Sequence, residues 1–584
     1  MCAAGSHTAA TPYSRLKIAV INNLLSGKSF KLRLFPAILC LVFLLPIATA
    51  APPQAAIASA HPLATEAGLE TLARGGNAFD AAAAISAALS VVEPAGSGLG
   101  GGGFWLLHRA SDGKTVMLDG RERAPLAARL DMYRNEQGKS VSDNSINGAL
   151  SAGIPGMPAA LVHLAEHYGR LPLSIDLAPA IRYAEEGFPI SERHHWLLSF
   201  RADVVRRSKA AADIFLSEGE VPEIGAALMQ KDLAHTLKQI GESGKIGFYS
   251  GDIAKKLVEG VRSAGGIWTL RDLAEYRLVE REPVQGFYRG VRIIAPPPPS
   301  AGGAGLIEML NILSGYDLEA VDTTTRKHLI VEAMRRAYHD RERFLGDPDF
   351  VIMPLRRLLS PNYAAGLRAS IRLDRALPSA YLSQFNGPEP DGENTTHFSV
   401  LDTEGNRVAA TLSINYPFGS GFVPPGTGVL LNDEMDDFAT HPGSSNVYGL
   451  VGGEPNVIAP GKRMLSSMTP IFLEDQHRVG IMGTPGGSRI VSMVLLAVLD
   501  FAEGHLPESW VSVPRFHHQY LPDIIQYEPG GLTEREQVEL QKRGHKLKLI
   551  ERRYGDMQAV LWDKSTNRVY AASDPRGGGL AKLK

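Results

Sequence analysis

The most abrupt change in the pattern of polar and apolar positions lies near the middle of the chain. Pro388–Asn394 is polar and rich in turn-forming residues, which is typical of an exposed loop. The next two stretches, Thr395–Asp402 and Arg407–Asn415, alternate in polarity and are rich in β-branched and aromatic residues, with turn chemistry between them. The pattern therefore predicts a hairpin that begins at Thr395 and is entered directly from an exposed loop.

Elsewhere the chain mixes helical and strand periods and has no internal repeat. Lys327–Leu345 should be an amphipathic helix, whereas Ile490–Phe501 is apolar nearly all round and should be a buried helix. The other elements that the pattern predicts are helices at Leu63–Ala73 and Asp80–Val92, a buried strand at Phe104–Leu107 and a last hairpin at Met557–Ala572.

A glycine-rich run, Gly96–Gly103, comes directly before the predicted strand at Phe104. Dinucleotide-binding glycines follow a strand and open a helix, so the order of elements here is the reverse of that motif. We therefore interpret the run as structural, and we predict no cofactor.

Composition narrows the class of protein. The chain has 584 residues, of which 44% are hydrophobic, and a formal net charge of -2. These values are typical of a globular protein with one large layered domain or several structural units. Basic residues form only short clusters, such as Arg206-Arg207 and Arg552-Arg553, so the sequence does not indicate binding of nucleic acid.

The N-terminal region has the pattern of an export signal. Leu34–Ala50 is apolar and uncharged, follows Lys28, Lys31 and Arg33, and closes with small residues that a signal peptidase accepts. Residues 1–50 are thus predicted to be the removable leader of a periplasmic or secreted protein. A retained membrane anchor is the weaker alternative, because the apolar stretch is short and is interrupted by proline.

The cysteines fit this prediction. Both of them, Cys2 and Cys40, lie in the predicted leader, so the mature chain should contain no disulfide. Leu39 precedes Cys40 where a lipidation site would have a small residue, which argues against a lipoprotein.

Thr395 is a candidate nucleophile because of its position. A threonine hydroxyl attacks poorly unless a base lies beside it. Cleavage just before the residue would supply that base, a free α-amine with a pKa near ~7.7 to 8.0. A threonine at the head of a strand, after an exposed loop, suits self-cleavage between Asn394 and Thr395. Thr-Thr pairs are also ordinary strand residues, so the position alone does not decide.

Motifs further along the chain favour catalysis. They read Leu-Asn-Asp-Glu-Met-Asp-Asp-Phe at 431–438, Gly-Lys-Arg-Met-Leu-Ser-Ser-Met-Thr-Pro at 461–470, Gly-Thr-Pro-Gly-Gly-Ser-Arg at 483–489 and Ser-Asp-Pro-Arg at 573–576. Together with Asn-Thr-Thr-His-Phe-Ser at 394–399, they resemble the γ-glutamyltransferases, also called γ-glutamyl transpeptidases, of the N-terminal-nucleophile hydrolase superfamily. The resemblance extends from about Ala58 to the C-terminus.

The resemblance implies an α+β fold, a four-layer αββα sandwich, formed by two subunits of one self-cleaved precursor. The large subunit would span residues 51–394, and the small subunit, which begins with the nucleophile, residues 395–584. The enzyme would transfer the γ-glutamyl group of glutathione or a related donor to an amino acid, a short peptide or water. Its partners would be these small molecules, with no nucleic acid and no stable membrane anchor.

A γ-glutamyl donor carries an α-carboxylate, an α-ammonium and a scissile amide, so its site needs a cation, anions, and a nucleophile with an oxyanion hole. Ser413 stands where many members of the family have a threonine that hydrogen-bonds the nucleophile, and its hydroxyl can do the same. The other residues that the resemblance assigns are Arg121, Ser466 and Ser467 at the α-carboxylate, Glu434, Asp437 and Asn415 at the α-ammonium, and Gly486 and Gly487 at the oxyanion.

The glycine-rich segment 439–453 follows the acidic motif and resembles a lid that some members of the family have. It carries Tyr448, Leu450 and Val451 where a purely solvated loop would be polar. Tyr448 is therefore predicted to be the gate over the donor pocket and to shield it from water. A simple surface connection is the alternative.

Histidines are not expected to act in catalysis or to bind metal. His397 would share a strand face with Thr395, but a freed α-amine makes a histidine base unnecessary. The pairs His194-His195 and His517-His518 lack convincing spacing for a zinc site, so no metal is predicted.

Two other functions are compatible with the predicted fold and site residues. A close relative of the family removes glutaryl side chains from cephalosporin-type β-lactams, and the same fold could host that reaction. A glutaryl donor has no amine, however, so Glu434 and Asp437 favour the γ-glutamyl reaction. The chain could also be a processed but inactive binding protein, and the complete set of site residues argues against that.

Overall fold

The structure is a computed structural model that describes residues 51–135, 137, 141–382 and 394–584. The predicted leader at 1–50 and the polar residues 388–393 lie outside the described residues. None of the helices in the described ranges is long and apolar enough to cross a membrane.

Most strands belong to two large antiparallel sheets. In chain order the strands are β1 (Ala56–Ser59), β2 (Gly102–Arg109), β3 (Lys114–Gly120), β4 (Phe188–Pro189), β5 (Ala227–Leu228), β6 (Val279–Arg281), β7 (Val284–Tyr288), β8 (Val291–Ala295), β9 (Thr396–Leu401), β10 (Arg407–Ser413), β11 (Ile471–Glu474), β12 (Arg478–Gly483), β13 (Phe516–His517), β14 (Ile525–Tyr527), β15 (Leu547–Leu549), β16 (Gln558–Asp563), β17 (Arg568–Ser573) and β18 (Leu580–Leu583). The first sheet has the order β18-β1-β9-β10-β2-β3-β6 and the second the order β17-β16-β12-β11-β8-β7.

Helices cover the outer faces of the two sheets. In chain order they are α1 (Pro62–Ala73), α2 (Ala78–Val92), α3 (Ser142–Ile146), α4 (Met157–His167), α5 (Leu173–Glu186), α6 (Glu192–Arg206), α7 (Lys209–Phe215), α8 (Lys231–Ser243), α9 (Ile246–Tyr249), α10 (Gly251–Ser263), α11 (Leu270–Ala274), α12 (Gly302–Leu313), α13 (Thr323–Phe344), α14 (Leu355–Leu358), α15 (Pro361–Arg368), α16 (Ile490–Ala502), α17 (Pro507–Ser512) and α18 (Glu534–Lys542).

Side-chain alternation along the strands creates the layers. Trp105 and Phe398 point into the core under α1, α2, α4 and α5, whereas Phe104 and Leu106, on either side of Trp105, point into the core shared with the second sheet. Strands β9 and β10 pack on β12, and α12 and α16 pack on the strands of the second sheet. This arrangement is a helix–sheet–sheet–helix sandwich, which confirms the α+β fold with four layers.

The parts of the chain before and after Thr395 share both large sheets. Strand β1, from the N-terminal part, lies between β18 and β9 of the C-terminal part, and Ile57 faces Val400 and Lys582. Strand β10 pairs with β2, and β11 pairs with β8. Separating the two parts would break strand pairs in both sheets, so a cut before Thr395 leaves the two pieces held together.

The predicted elements are confirmed, with ends that shift by a few residues. One difference concerns the helix predicted at Lys327–Leu345, which is α13. It buries charged side chains as well as its apolar stripe, because Glu332 forms ion pairs with Arg335 at 3.2 Å and with Arg336 at 2.7 Å. Paired charges can occupy an interior position that a single charge cannot.

Candidate active site

Thr395 comes directly before β9, a central strand of the first sheet, and is 4% exposed. Its φ of +120° is rare for a β-branched residue and stores backbone strain. Asn394 is also buried, so the expectation of an exposed loop up to the cleavage point is wrong for this residue. The reason is that its side-chain amide donates a hydrogen bond to the Ala95 carbonyl. The candidate scissile peptide is therefore both buried and strained.

One small cavity brings most of the predicted residues together. Its volume is about 20 Å³, enough for a water molecule and too little for a γ-glutamyl group. The predicted residues that line it are Arg121, Thr395, Ser413, Asn415, Glu434, Asp437, Tyr448, Ser466, Ser467 and Gly487. The apolar side chains of Leu450, Met468 and Ile490 complete the wall. Leu450 belongs to the segment predicted to be a lid, whereas Met468 and Ile490 were not predicted, because an apolar residue beside a cavity has the same sequence pattern as one in the core.

Arg121 is the centre of a buried charge cluster. It lies directly after β3, and its Nη1 and Nη2 groups donate to Glu434 Oε2 and Asp437 Oδ2, each at 2.5 Å. Its Nε donates to the Met464 carbonyl at 3.3 Å. The Glu122 carboxylate lies 3.6 Å from Nη1. Arg121 was predicted to bind the donor's α-carboxylate, and Glu434 and Asp437 were predicted to bind its α-ammonium. In the structure both acids pair with Arg121.

Burial and neighbouring charges shift the pKa values in this cluster. Burial, opposed by Arg121 and reinforced by Asp437, raises the pKa of Glu434 to about 7. Burial and the nearby Glu434 raise the pKa of Glu122 well above its usual range. Burial alone would lower the pKa of Arg121, but the surrounding carboxylates outweigh it and raise the value above normal. Above pH ~7 Glu434 carries a negative charge, which suits a cation such as an ammonium group.

Gly486 and Gly487 lie where a 3-10 turn, Gly487–Arg489, leads into α16. Their φ values are +136° and +55°, in the region that favours glycine. The Gly486 N–H donates a long hydrogen bond of 3.4 Å to the Asn394 carbonyl oxygen. An amide at the start of a helix that points at the candidate scissile carbonyl can stabilise negative charge on that oxygen.

The serine hydroxyls around Thr395 differ in their hydrogen bonds. Ser466 Oγ accepts the Met468 N–H at 3.1 Å, whereas Ser467 Oγ is buried and has no hydrogen-bond partner in the described residues. Ser413 Oγ accepts the Asn415 N–H at 2.8 Å. The predicted hydrogen bond between Ser413 and Thr395 is not among these contacts and stays a prediction. The hydroxyl of Ser467 thus lines the cavity without a partner in the described part of the chain, and its bond to a donor carboxylate stays a prediction.

The segment around Tyr448 forms part of the cavity wall. The Tyr448 hydroxyl donates to the Asn415 carbonyl at 2.7 Å, and its ring lies over Gly487, where a Cβ would come within 2.6 Å of the ring. Asn446 donates to Asp437 Oδ1 at 2.7 Å, and the Val447 N–H donates to Asp436. Tyr448 is 4% exposed. These contacts tie the segment to the acidic motif and make Tyr448 part of the cavity wall, and its role as a gate stays a prediction.

His397 is not suited to act as an acid or a base near neutral pH. Its Nδ1 lies 2.8 Å from Thr411 Oγ1 and its Nε2 lies 3.3 Å from Ser399 Oγ. Burial lowers the pKa of His397 to about 3. The ring is therefore neutral and engaged with two hydroxyls, as expected for a structural histidine.

Of the histidines whose spacing we considered, His518 lies 3.2 Å from Asp523, but neither residue belongs to a group of three metal-ligating side chains in the described ranges. His328, Glu332 and His545 form a buried group instead. His328 Nδ1 lies 2.7 Å from His545 Nε2, and the Glu332 carboxylate is already paired with arginines. Cations beside the carboxylate and a hydrogen bond between the rings make this group a poor site for a metal ion.

A strand-leading threonine in an αββα sandwich, beside a helix-start glycine amide, defines an N-terminal-nucleophile hydrolase. The chain belongs to the γ-glutamyltranspeptidase family, whose model (Gamma-glutamyltranspeptidase) matches residues 64–583. It is 40% identical to a glutathione hydrolase proenzyme of Pseudomonas sp. strain A14, over 94% of this chain and 98% of that protein. It is 38% identical to a glutathione hydrolase proenzyme of Escherichia coli K12, over 90% of each chain.

Among solved structures, the chain is similar to a cephalosporin acylase from Bacillus halodurans. The TM-score is 0.81 at 30% identity, and the match covers 91% of this chain and 96% of the acylase. The fold is thus common to relatives with two different activities. The residues in the cavity must distinguish between them.

Proposed function

We propose that the protein transfers γ-glutamyl groups from glutathione or a related donor to amino acids, short peptides or water. Thr395, freed by self-cleavage after Asn394, would be the nucleophile. The observation that carries this proposal is that Thr395 and the Arg121–Glu434–Asp437 cluster line the same cavity. A nucleophile at one end and both signs of charge at the other match the two ends of a γ-glutamyl donor.

Self-cleavage begins with attack of Thr395 Oγ on the Asn394 carbonyl carbon. The Gly486 N–H stabilises the oxygen that becomes negative, and the hydroxyl proton ends on the departing Thr395 nitrogen. The C–N bond breaks and an ester forms. Water hydrolyses that ester, which releases the carboxylate of Asn394 and restores the hydroxyl of Thr395, whose α-amine was freed when the C–N bond broke.

The mature reaction repeats this chemistry on the donor. The α-amine of Thr395 takes the proton of its own hydroxyl as Oγ attacks the γ-carbonyl carbon, and it then gives a proton to the departing amine. The product is a γ-glutamyl ester of Thr395. An acceptor amine or water then attacks the ester, and the hydroxyl is restored.

The second candidate is a glutaryl or cephalosporin acylase, which the similarity to the Bacillus halodurans acylase favours. A glutaryl group lacks the α-ammonium, so Glu434 and Asp437 would then face Arg121 with no further cation to bind. Two acids that both pair with Arg121 are better explained by an amino-acid donor.

The test is to express the full chain, separate the products by denaturing electrophoresis and sequence the N-terminus of the smaller piece. The mature protein is then assayed with γ-glutamyl and glutaryl nitroanilides and with glutathione. We expect Thr395 at the new terminus and a strong preference for γ-glutamyl donors. A preference for the glutaryl donor would favour the acylase, and cleavage without turnover of either donor would favour a binding protein.

We also propose that the enzyme is exported, because the sequence before residue 51 has the pattern of a signal peptide. The sharing of both sheets supports a mature form in which the two pieces stay together. Fractionation of cells that express the full chain tests export: a mature protein confined to the cytoplasm would contradict it.

A further inference from the structure

The turn that follows α2, residues 93–97, contacts three consecutive residues around the candidate cleavage point. We call it the junction turn. Its Ala95 carbonyl accepts the side-chain amide of Asn394. Its Gly96 lies so close to the Thr395 carbonyl oxygen that a Cβ there would be 3.2 Å away. Its Glu93 carboxylate accepts the hydroxyl of Thr396 at 2.6 Å.

The junction turn is itself held in place. The N–H groups of Gly96 and Ser97 donate to the Glu93 carbonyl at 2.9 and 3.1 Å, and the Phe418 N–H donates to the Ala95 carbonyl at 3.3 Å. The preceding helix α2 is buried along its whole length. A turn fixed at this many points can hold another segment in an unfavourable conformation.

Among the described residues, Glu93 is the only charged residue of the junction turn that contacts Thr396. Its side chain is 12% exposed, and Arg193 Nε lies 4.0 Å from its other oxygen. A hydroxyl that donates to a partly buried carboxylate makes a short and strong hydrogen bond. Thr396 is the first residue of β9, so the bond fixes the C-terminal side of the strained Thr395 just as Ala95 fixes Asn394 on the other side.

We propose that Glu93 is a positioning residue for self-cleavage. Through Thr396 it holds Thr395 in the strained conformation from which the hydroxyl attacks the Asn394 carbonyl. This inference rests on the cleavage point given under the proposed function. Glu93 would matter most before cleavage, because Asn394 no longer restrains Thr395 once the peptide bond between them is broken.

The experiment compares the rate of self-cleavage in purified precursors. Thr396→Val removes the donor but keeps the shape, Thr396→Ser restores the donor, and Glu93→Gln keeps an acceptor without the charge. Thr325→Val is the matched control, because Thr325 Oγ1 also donates to a carboxylate, Asp322, at 2.6 Å but lies at the start of α13. Conversion of precursor to two pieces is followed by denaturing electrophoresis, and the activity per cleaved molecule is measured afterwards.

We expect Thr396→Val to slow cleavage on the order of 10- to 100-fold, Glu93→Gln to slow it by a smaller factor, and Thr396→Ser to cleave near the parental rate. The activity per cleaved molecule should fall by less than the cleavage rate, and Thr325→Val should cleave normally. Parental cleavage rates in both Thr396→Val and Glu93→Gln would overturn the inference, as would equal losses of cleavage and activity, which indicate a general structural defect. A parental small piece that begins at a residue other than Thr395 would instead refute the proposed cleavage point.

Discussion

Asp437→Asn removes one anion from the charge cluster while it preserves the shape of the side chain. In the structure Asp437 Oδ2 lies 2.5 Å from Arg121 Nη2, and its side chain is 12% exposed. Loss of one partner from a buried charge pair costs about 2 to 5 kcal/mol. Because Glu434 still holds Arg121 and Asp437 is not fully buried, we expect the lower half of that range. The kcat/KM for γ-glutamyl donors should fall by about 30- to 370-fold.

The assay uses γ-glutamyl and glutaryl nitroanilides in parallel, since only the first carries the ammonium that Asp437 should face. Self-cleavage should proceed in the variant, and the weak activity toward the glutaryl donor should change little. Equal losses with both donors would show that Asp437 supports the fold of the pocket and does not recognise the ammonium. Unchanged kinetics with glutathione would refute the assigned role altogether.

Four further outcomes test the remaining parts of the site. Thr395→Ala should give a single uncut, inactive chain on a denaturing gel, and any maturation to two active pieces would contradict its role as nucleophile. Gly487→Ala, which places a Cβ 2.6 Å from an aromatic ring, should lower kcat at least ~10-fold by displacing the lid and the oxyanion amide, whereas Gly578→Ala, with open space around it, should not. Deletion of 443–449 should preserve cleavage but raise hydrolysis relative to transfer, and an unchanged product ratio would show that the segment is only a connector. The KM for γ-glutamyl donors should rise as pH falls through about 7, because the raised pKa of Glu434 lets it take up a proton and lose its negative charge, and Glu434→Gln should remove this pH dependence.

Local patterns were enough to predict the elements that carry the site. The alternation after Thr395 and the apolar run at Ile490–Phe501 each correspond to an element of the structure, because each depends on neighbours in sequence. The resemblance of the motifs at 431–438 and 483–489 then supplied the roles. Composition and periodicity alone would have stopped at a globular α+β protein.

Contacts between distant parts of the chain could not be predicted in this way. Arg121 and Asp437 are 316 residues apart in sequence, yet their side chains meet because β3 and the acidic motif converge on one cavity. Asn394 was expected to be exposed because its neighbours are polar, and it is buried because Ala95, 299 residues earlier, accepts its amide. Polarity predicts the cost of burial but does not reveal a distant partner that offsets it.

Both pieces contribute strands to both large sheets, and this affects how the enzyme folds and how it loses activity. Strand β1 can only enter its place between β18 and β9 while the chain folds as one molecule, or if two separate chains meet and fold together. The precursor brings these strands together within one molecule, at a loop-closure cost that grows slowly with chain length. After the cut, refolding becomes bimolecular and depends on concentration. The uncut Thr395→Ala chain should therefore recover its fold from denaturant at protein concentrations where the mature protein does not, and the lifetime of the working enzyme should be set by its rate of unfolding.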